Sequence, residues 1–173
     1  MLDSTQEPEK LLDVNNIEVI YNHVILVLKG VSLSVPKGGI TALLGGNGAG
    51  KTTLFASIAG FHKINEGQVE LLGKNIVGLE VHEIARLGMV RTFQITQPFA
   101  KLSVLENIAV GAYQQFASRD QAHAHARLIA EKVGMAGMLD QPASELTVAG
   151  RKRLELARAL ATGPKLLLLD EVM

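Results

Sequence analysis

The chain has 173 residues, of which 47% are hydrophobic and 20% charged, a composition typical of one globular domain with a buried core. Lysine plus arginine balance aspartate plus glutamate at 17 each, which argues against nucleic acid as the main partner, because that binding requires a basic surface. The absence of cysteine excludes disulfides and thiolate metal sites and suits a reducing cytosol.

Neither a signal peptide nor a membrane span is predicted. Residues 1–10 are polar and acidic and lack the apolar core of a signal peptide. The longest apolar runs fall far short of the ~20 residues that cross a bilayer. We therefore expect any membrane role to be peripheral, through a partner.

The first half of the chain predicts short strands around a glycine-rich segment. The predicted strands are residues 11–21, 24–28 and 30–35, the last with the alternation of a half-buried antiparallel strand. Residues 36–39, Pro-Lys-Gly-Gly, are typical of a turn. The apolar run at 40–44 predicts a further strand that leads into glycines, and a helix is expected from Lys51 to about Ala59.

The second half is predicted to be mainly helical, with strands near both of its ends. The predicted strands are residues 68–72, 89–93 and 165–169, and the predicted helices are 81–87, 103 to about 110, 118 to about 133, and 149–161. Ser103 and Glu106 fit a capping box. The last helix has an apolar face of Leu154, Ala157, Leu160 and Ala161. The continuous apolar run at 165–169 is typical of a strand that is buried on both faces.

The segment at residues 45–52 matches G-x-x-x-x-G-K-[ST], the pattern of phosphate-binding loops. Glycines let the backbone approach phosphates closely, and successive N–H groups with a helix N-terminus then point at anionic oxygen. Lys51 is expected to reach the β- and γ-phosphates, and the Thr52 hydroxyl to hold magnesium. The predicted nucleotide contacts are Gly45, Gly46, Asn47, Gly48, Ala49, Gly50, Lys51, Thr52 and Thr53. The alternative is a chance match in a glycine-rich turn, which the predicted strand before it and helix after it disfavour.

Two carboxylates, Asp170 and Glu171, follow the apolar run directly. Ligands of P-loop enzymes lie at the carboxyl ends of the strands, so both acids are expected to face the phosphates. Asp170 is predicted to hold magnesium through water, and Glu171 to act as general base on the attacking water. The alternative is a strand end with two solvated acids. No N-K-x-D sequence favours guanine, which leaves adenine as the expected base.

These residues resemble the ABC ATPase family over essentially the whole chain. Tyr21 lies where the family stacks an aromatic on adenine, and Gln94 is similar to the glutamine that touches magnesium and the attacking water. The alternatives are an ordinary strand aromatic and an ordinary loop amide. Residues 153–164 resemble the helix and turn that lead to the acidic strand. The resemblance implies an α/β P-loop NTPase (RecA-like) core with an N-terminal antiparallel β subdomain and a helical subdomain, and ATP and Mg²⁺ as cofactors.

Residues 146–151, L-T-V-A-G-R, stand where the family has its L-S-G-G-Q signature, and they depart from it. Thr147 replaces serine and keeps a hydroxyl, whereas Ala149 and Gly150 replace the second glycine and the glutamine. A helix N-terminus with a hydroxyl still suits the γ-phosphate of an ATP held by an opposite subunit. We therefore predict that Thr147, Ala149 and Gly150 contact nucleotide across a dimer.

Within the family, residues 84–111 resemble the ATP-binding subunits of branched-chain amino acid importers, whereas the stretch through Thr53 is more similar to their sister subunit, which leaves a mosaic open. The resemblance implies a second ATPase subunit, in a homo- or heterodimer, and membrane permease subunits that dock near Gln94 and Pro98. A solute-binding protein would act only indirectly, and no nucleic acid is expected. The expected location is cytoplasmic, peripheral on the inner face of the cell membrane.

The resemblance also predicts how the chain is divided. We expect a single ABC ATPase domain, truncated at its C-terminus: a β subdomain and P-loop core to about residue 95, a helical subdomain over about 96–150, and a return to the core over about 151–173. The alternatives to a transport ATPase are a nucleotide-binding fragment without turnover and a soluble ABC ATPase outside transport.

Overall fold

The computed structural model of the protein describes residues 9–21, 25–92 and 97–170, with the backbone alone at Tyr21 and Ile25. The chain forms two compact units, residues 1–87 and 88–173. Strands and two helices make up the described part of the first unit, and three longer helices with a short parallel strand pair make up that of the second. The predicted α/β composition, antiparallel first and helical later, is confirmed.

The first unit contains an antiparallel sheet with strand order β2-β1-β3-β4. Its strands are β1 (Lys10–Tyr21), β2 (Ile25–Pro36), β3 (Glu66–Leu71) and β4 (Lys74–Asn75). The two strands predicted at 24–28 and 30–35 are one continuous strand, β2. Apolar residues of the long central strand β1 are almost fully buried, among them Leu12, Val14 and Ile17, so this sheet has a core face of its own.

A bulge bends the middle of β1. Asn16 has φ 50, its N–H donates to Ser32 Oγ at 2.8 Å, and the register with β3 shifts between Asn15 and Glu18. The neighbouring residue on β3 is Gly67, where a Cβ would lie 2.4 Å from the Asn16 carbonyl oxygen. Only glycine fits beside this bulge.

Two helices accompany the sheet in the first unit, α1 (Lys51–Ile58) and α2 (Val81–Leu87). Helix α1 begins at the predicted residue, and α2 has the predicted bounds. Leu54 and Ile58 of α1 and Ile84 of α2 are buried, so both helices contribute one apolar side to the core.

The strand predicted at residues 40–44 is wrong. This segment is neither helix nor strand, and Ile40 and Leu44 are 99% and 91% exposed. A short apolar strand is stable only when neighbouring strands satisfy its backbone and cover its side chains. In the part of the chain that the structure describes, every strand pairing lies within β1–β4 or between the strands Met89–Arg91 and Leu166–Leu168, so the run has no sheet to join.

The second unit is built around three helices, α3 (Val104–Ala112), α4 (Arg119–Lys132) and α5 (Val148–Ala161), with 3-10 turns at Ala136–Met138 and Ala143–Glu145. The predicted capping box is present, since Ser103 N donates to Glu106 Oε2 at 2.8 Å and Glu106 N donates to Ser103 Oγ at 3.2 Å. The predicted apolar face of α5 lies in the shared core, with Leu160 only partly buried. Small residues on α4 and α5 let the helices approach closely.

The strands of the second unit, β5 (Met89–Arg91) and β6 (Leu166–Leu168), are parallel neighbours with Arg91 opposite Leu168. The predicted strand at 165–169 is therefore present, but its burial on both faces is not. Leu166 and Leu168 are buried, whereas Leu167 between them is only half-buried, and Leu169, just beyond the strand, is 42% exposed. Over the described residues β5 is its one neighbour, which leaves the side chains between the buried positions less covered.

Within the residues that the structure describes, none of the helices combines the length and the apolar character required to cross a membrane.

Candidate functional site

The predicted phosphate loop is an exposed turn that ends at the start of α1. Gly48 and Gly50 have φ 81 and 85, a left-handed backbone that side chains disfavour. Gly50 is also the N-cap of α1, and a Cβ there would lie 2.9 Å from Leu28 Cδ2. The amides of the first turn of a helix have no carbonyl partners within the helix and point outward. The loop therefore presents backbone donors at a helix N-terminus, an arrangement that fits an anion.

Lys51 is the first residue of α1, and its ammonium lies against the loop. Its Nζ donates to the carbonyl oxygens of Gly45 at 2.6 Å and Gly46 at 2.8 Å. A lysine ammonium has three donors, so these contacts hold a positive charge at the loop. Thr52 follows on the exposed side of the helix. The donor set, backbone amides and one ammonium, suits phosphate oxygens.

A metal at this loop requires ligands beyond one hydroxyl. Over residues 9–21, 25–92 and 97–170, no three histidine or carboxylate side chains converge as a metal site. Mg²⁺ prefers few protein ligands together with substrate phosphates and water. One hydroxyl and one carboxylate, as predicted for Thr52 and Asp170, are compatible with that preference.

Asp170 is buried at the end of β6 and pairs with a residue that the sequence interpretation passed over. Arg91 Nη2 donates to Asp170 Oδ2 at 2.9 Å, and the two side chains are 8% and 4% exposed. The next residue, Thr92, receives a hydrogen bond at Oγ1 from Asp170 N at 3.3 Å. The prediction of an acid at the carboxyl end of a buried strand is met, but the acid is ion-paired and not solvated.

The signature region starts α5. Thr147 is its N-cap, with Gly150 N donating to Thr147 Oγ1 at 3.1 Å. Thr147, Val148 and Ala149 are exposed. Arg151 turns back and donates from Nε to the carbonyl of Leu146 at 3.1 Å, so it holds this turn in place. The predicted contact residues therefore lie on an open helix N-terminus.

The segment that follows residues 93–96 is held by two helices. Arg158 of α5 donates to the Gln97 carbonyl at 3.1 Å and lies 4.7 Å from the ring centre of Phe99. Burial lowers the pKa of the Arg158 guanidinium below its usual value. Asn107 of α3 is fully buried and exchanges hydrogen bonds with the backbone N–H and carbonyl of Phe99.

Three predicted site residues lie outside the described part of the chain: the side chain of Tyr21, Gln94 and Glu171. The phosphate loop belongs to the first unit and Asp170 to the second. That the phosphate loop and Asp170 lie close together stays a prediction.

A model of the ABC transporter family matches residues 28–173. The chain belongs to the ABC transporter family. Its match includes the phosphate loop, the capped start of α5 and the buried Asp170. The fold is that of an ABC ATPase cassette, and the chain is an ATP-hydrolysing subunit of the ABC type, as the glycine loop and the acidic strand predicted.

Curated relatives of this ABC protein are transport ATP-binding proteins. The high-affinity branched-chain amino acid transport ATP-binding protein LivG of Salmonella typhimurium is 35% identical over 178 residues, which cover 94% of this chain and 69% of that protein. A probable branched-chain amino acid transport ATP-binding protein LivG from Archaeoglobus fulgidus is 36% identical over 174 residues, covering 94% and 67%. The chain thus spans about two-thirds of the length of these relatives.

Solved structures agree on the fold of this ABC protein. An ATP-binding cassette of an ABC transporter in its ADP conformation superposes with a TM-score of 0.83 at 34% identity, covering 95% of this chain and 69% of that one. A part of an ABC transporter complex from Clostridium perfringens gives a TM-score of 0.84 at 28% identity, covering 94% and 66%.

Proposed function

We propose that this ABC protein binds Mg-ATP and hydrolyses it to drive the uptake of branched-chain amino acids through membrane permease subunits. The observation that supports nucleotide binding best is the ammonium of Lys51, 2.6 and 2.8 Å from two carbonyls of a glycine loop at a helix N-terminus. The solute is proposed from the names of relatives that are 35% and 36% identical over 94% of the chain.

Binding is assigned to the loop and the start of α1. The backbone amides from Gly45 to Thr53 are proposed to surround the phosphates, and Lys51 to neutralise the β- and γ-oxygens, exchanging loop carbonyls for phosphate. Tyr21 is proposed to stack on adenine.

Polar side chains are proposed to bind the magnesium ion and the attacking water. The Thr52 hydroxyl and Asp170 are proposed to hold Mg²⁺, with Gln94 as a further contact. When bound, Mg²⁺ supplies charge neutralisation on the β- and γ-phosphate oxygens. Glu171 takes a proton from the attacking water as general base, and Gln94 orients that water.

The dimer is proposed from the open N-terminus of α5. Thr147, Val148 and Ala149 at the start of α5 are exposed, and Gly150 is half-buried with its N–H donating to Thr147 Oγ1. They are proposed to contact the γ-phosphate of an ATP held by a second ATPase subunit. Each ATP is then enclosed only when two subunits close, which couples closure to binding. Permease subunits are proposed to dock near Gln94 and Pro98 on the inner face of the cell membrane.

The test of binding uses calorimetric titration of ATP with magnesium. Lys51→Ala is expected to weaken binding by about 10- to 100-fold, because it removes charge-assisted contacts. Glu171→Gln is expected to leave binding intact and to abolish turnover. Lys74→Ala is the matched control, since Lys74 is an exposed lysine of the same unit. Unchanged ATP affinity in Lys51→Ala would contradict the assignment of the loop.

The test of the solute uses cells that lack the gene and are complemented with each variant. Uptake of labelled leucine is expected to return with the native chain and with Lys74→Ala but not with Lys51→Ala. Co-purification with a membrane permease is expected as well. Normal leucine uptake in cells without the gene, together with intact ATP binding by the protein, would contradict the proposed solute but not the proposed nucleotide site.

A further inference from the structure

The exit of β6 is held in place by the end of β5. Parallel pairing puts Arg91 opposite Leu168, two residues before Asp170. From there the guanidinium reaches the carboxylate, with Nη2 2.9 Å from Oδ2. Both side chains are more than nine-tenths buried, at 8% and 4% exposure. This ion pair joins two strands and is not a surface contact.

Thr92 fixes the backbone at the same place. Its N–H donates to the Leu168 carbonyl at 3.0 Å, and its hydroxyl donates to the same carbonyl at 3.4 Å. The hydroxyl also receives the N–H of Asp170 at 3.3 Å. Arg91, the last residue of β5, therefore holds the side chain of Asp170, and Thr92, which follows it, holds the backbone.

Such an arrangement does more than neutralise charge. A carboxylate at a strand end can rotate about two side-chain bonds, and a planar guanidinium whose own position is fixed by packing restricts that rotation. Because the pair is buried, removal of one partner is costly, since it leaves an uncompensated charge in the interior. Residues that orient a metal ligand from behind change metal affinity although they do not touch the metal.

We propose that Arg91 and Thr92 are positioning residues for Asp170, which they hold ready for the magnesium that accompanies ATP. The proposal rests on the proposed function, in which Asp170 takes part in the metal site. It predicts a division of effects: ATP affinity without magnesium depends on the phosphate loop alone, whereas the gain in affinity on adding magnesium depends on Arg91 and Thr92.

The experiment titrates ATP into the chain by calorimetry, once with EDTA and once with excess MgCl₂. The variants are Arg91→Met, Arg91→Lys and Thr92→Val, and the matched control is Arg127→Met, because Arg127 is exposed on α4 of the same unit. Magnesium-free affinity is expected to stay within about twofold of the native value in every variant. The magnesium-dependent gain is expected to fall about tenfold in Arg91→Met, as for other residues behind a metal ligand.

The conservative variants separate positioning from folding. Arg91→Lys keeps the charge but not the planar guanidinium, so it is expected to retain part of the magnesium-dependent gain in ATP affinity. Valine has nearly the same shape as threonine but no hydroxyl, so Thr92→Val is expected to lose part of that gain. Circular dichroism establishes that each variant is folded. Should Arg91→Met fail to fold, the proposal is tested with Thr92→Val and Arg91→Lys, by the same comparison of ATP affinity with and without magnesium.

Three different outcomes would overturn the proposal. A magnesium-dependent gain that is unchanged or larger in folded Arg91 and Thr92 variants refutes positioning while native ATP binding stands. Absence of any ATP binding by the native chain, with or without magnesium, refutes the proposed function itself and this inference with it. A loss of equal size with EDTA and with magnesium means a general structural role and also refutes positioning.

Discussion

Replacement of Gly111 by alanine tests how closely α3 and α5 pack. Gly111 lies in the last turn of α3. A Cβ at this position would be 2.3 Å from the backbone oxygen of Arg158 and 3.2 Å from the Ala161 Cβ. The obstacle is the backbone of α5, which cannot move aside as a flexible side chain would. Relief of the clash therefore requires α3 and α5 to separate.

The expected loss of stability combines two opposing effects. Alanine favours a helix interior over glycine by about 1 kcal/mol. Overpacking of a well-filled core costs about 1–3 kcal/mol, and the upper end applies here, because the 2.3 Å contact is more than 1 Å shorter than the 3.4 Å at which ordinary van der Waals contact begins. The net expectation is a loss of roughly 2 kcal/mol, which lowers Tm by about 4–8 °C for a chain of this size.

Urea unfolding followed by far-UV circular dichroism measures this loss. The matched control is Gly137→Ala, since Gly137 is exposed and an added Cβ would meet nothing within 4 Å. The control is expected to stay within about 0.5 kcal/mol of the native stability, as exposed substitutions generally do. If Gly111→Ala is as stable as the native chain, α3 and α5 do not pack at the distance described.

Three further changes are expected to alter stability in predictable directions. Leu72 has φ 53 in the β3–β4 turn, so Leu72→Asn is expected to raise the free energy of unfolding by about 0.5–1 kcal/mol in urea titrations. Ser103→Ala is expected to lower it by about 1 kcal/mol through loss of the N-cap. The hydrogen bonds with the Ser103 backbone and hydroxyl lower the pKa of Glu106 below its usual value, so the stabilisation by Glu106 is present above the usual carboxyl pKa and is lost as the pH falls through the lowered pKa. Nε2 of His125 is buried without a hydrogen-bond partner among the described residues, so His125→Leu is expected to be neutral or stabilising by up to about 1 kcal/mol in thermal unfolding.

The predictions for Leu72, Glu106 and His125 each have a control or a contradicting result. Gly73→Ala, in the same turn as Leu72 at φ 73, is expected to destabilise, and a gain there would contradict the turn geometry. The difference in Tm between the native chain and Glu106→Gln is expected to shrink as the pH is lowered; a difference independent of pH would remove the role assigned to the carboxylate. A loss above about 1 kcal/mol in His125→Leu would mean that its ring is needed where it packs, 5.1 Å from Phe116.

Local signals predicted most helices and strands. The capping box at Ser103 and the start of α1 after Gly50 depend on residues only a few positions apart. Such contacts form between neighbours in the chain, so the sequence contains all the information they require. The antiparallel alternation in β2 is of the same kind.

The errors concern segments whose state depends on distant neighbours. The run at 40–44 is as apolar as a buried strand, yet Ile40 is fully exposed. Leu169 follows three strand residues and is half-exposed. Apolar composition predicts that a segment can be buried, whereas the presence of a pairing strand decides whether it is.

The candidate site divides in the same way. The phosphate loop, Lys51 and Asp170 were predicted from their own residues, since glycines, a lysine and an acid at these positions have a direct chemical meaning. Arg91 was not, although it stands three residues before Gln94. Its partner is 79 positions away, and no local pattern connects the two.

By itself, the sequence determined the elements that short-range chemistry builds and the residues that suit phosphate and metal. The tertiary structure alone decided which apolar runs find a sheet, that Gly111 lies against the backbone of α5, and that Asp170 is paired with Arg91. The physical reason is range: turns, caps and helix starts form between residues close in the chain, whereas burial and ion pairing are set by which distant strands and helices meet.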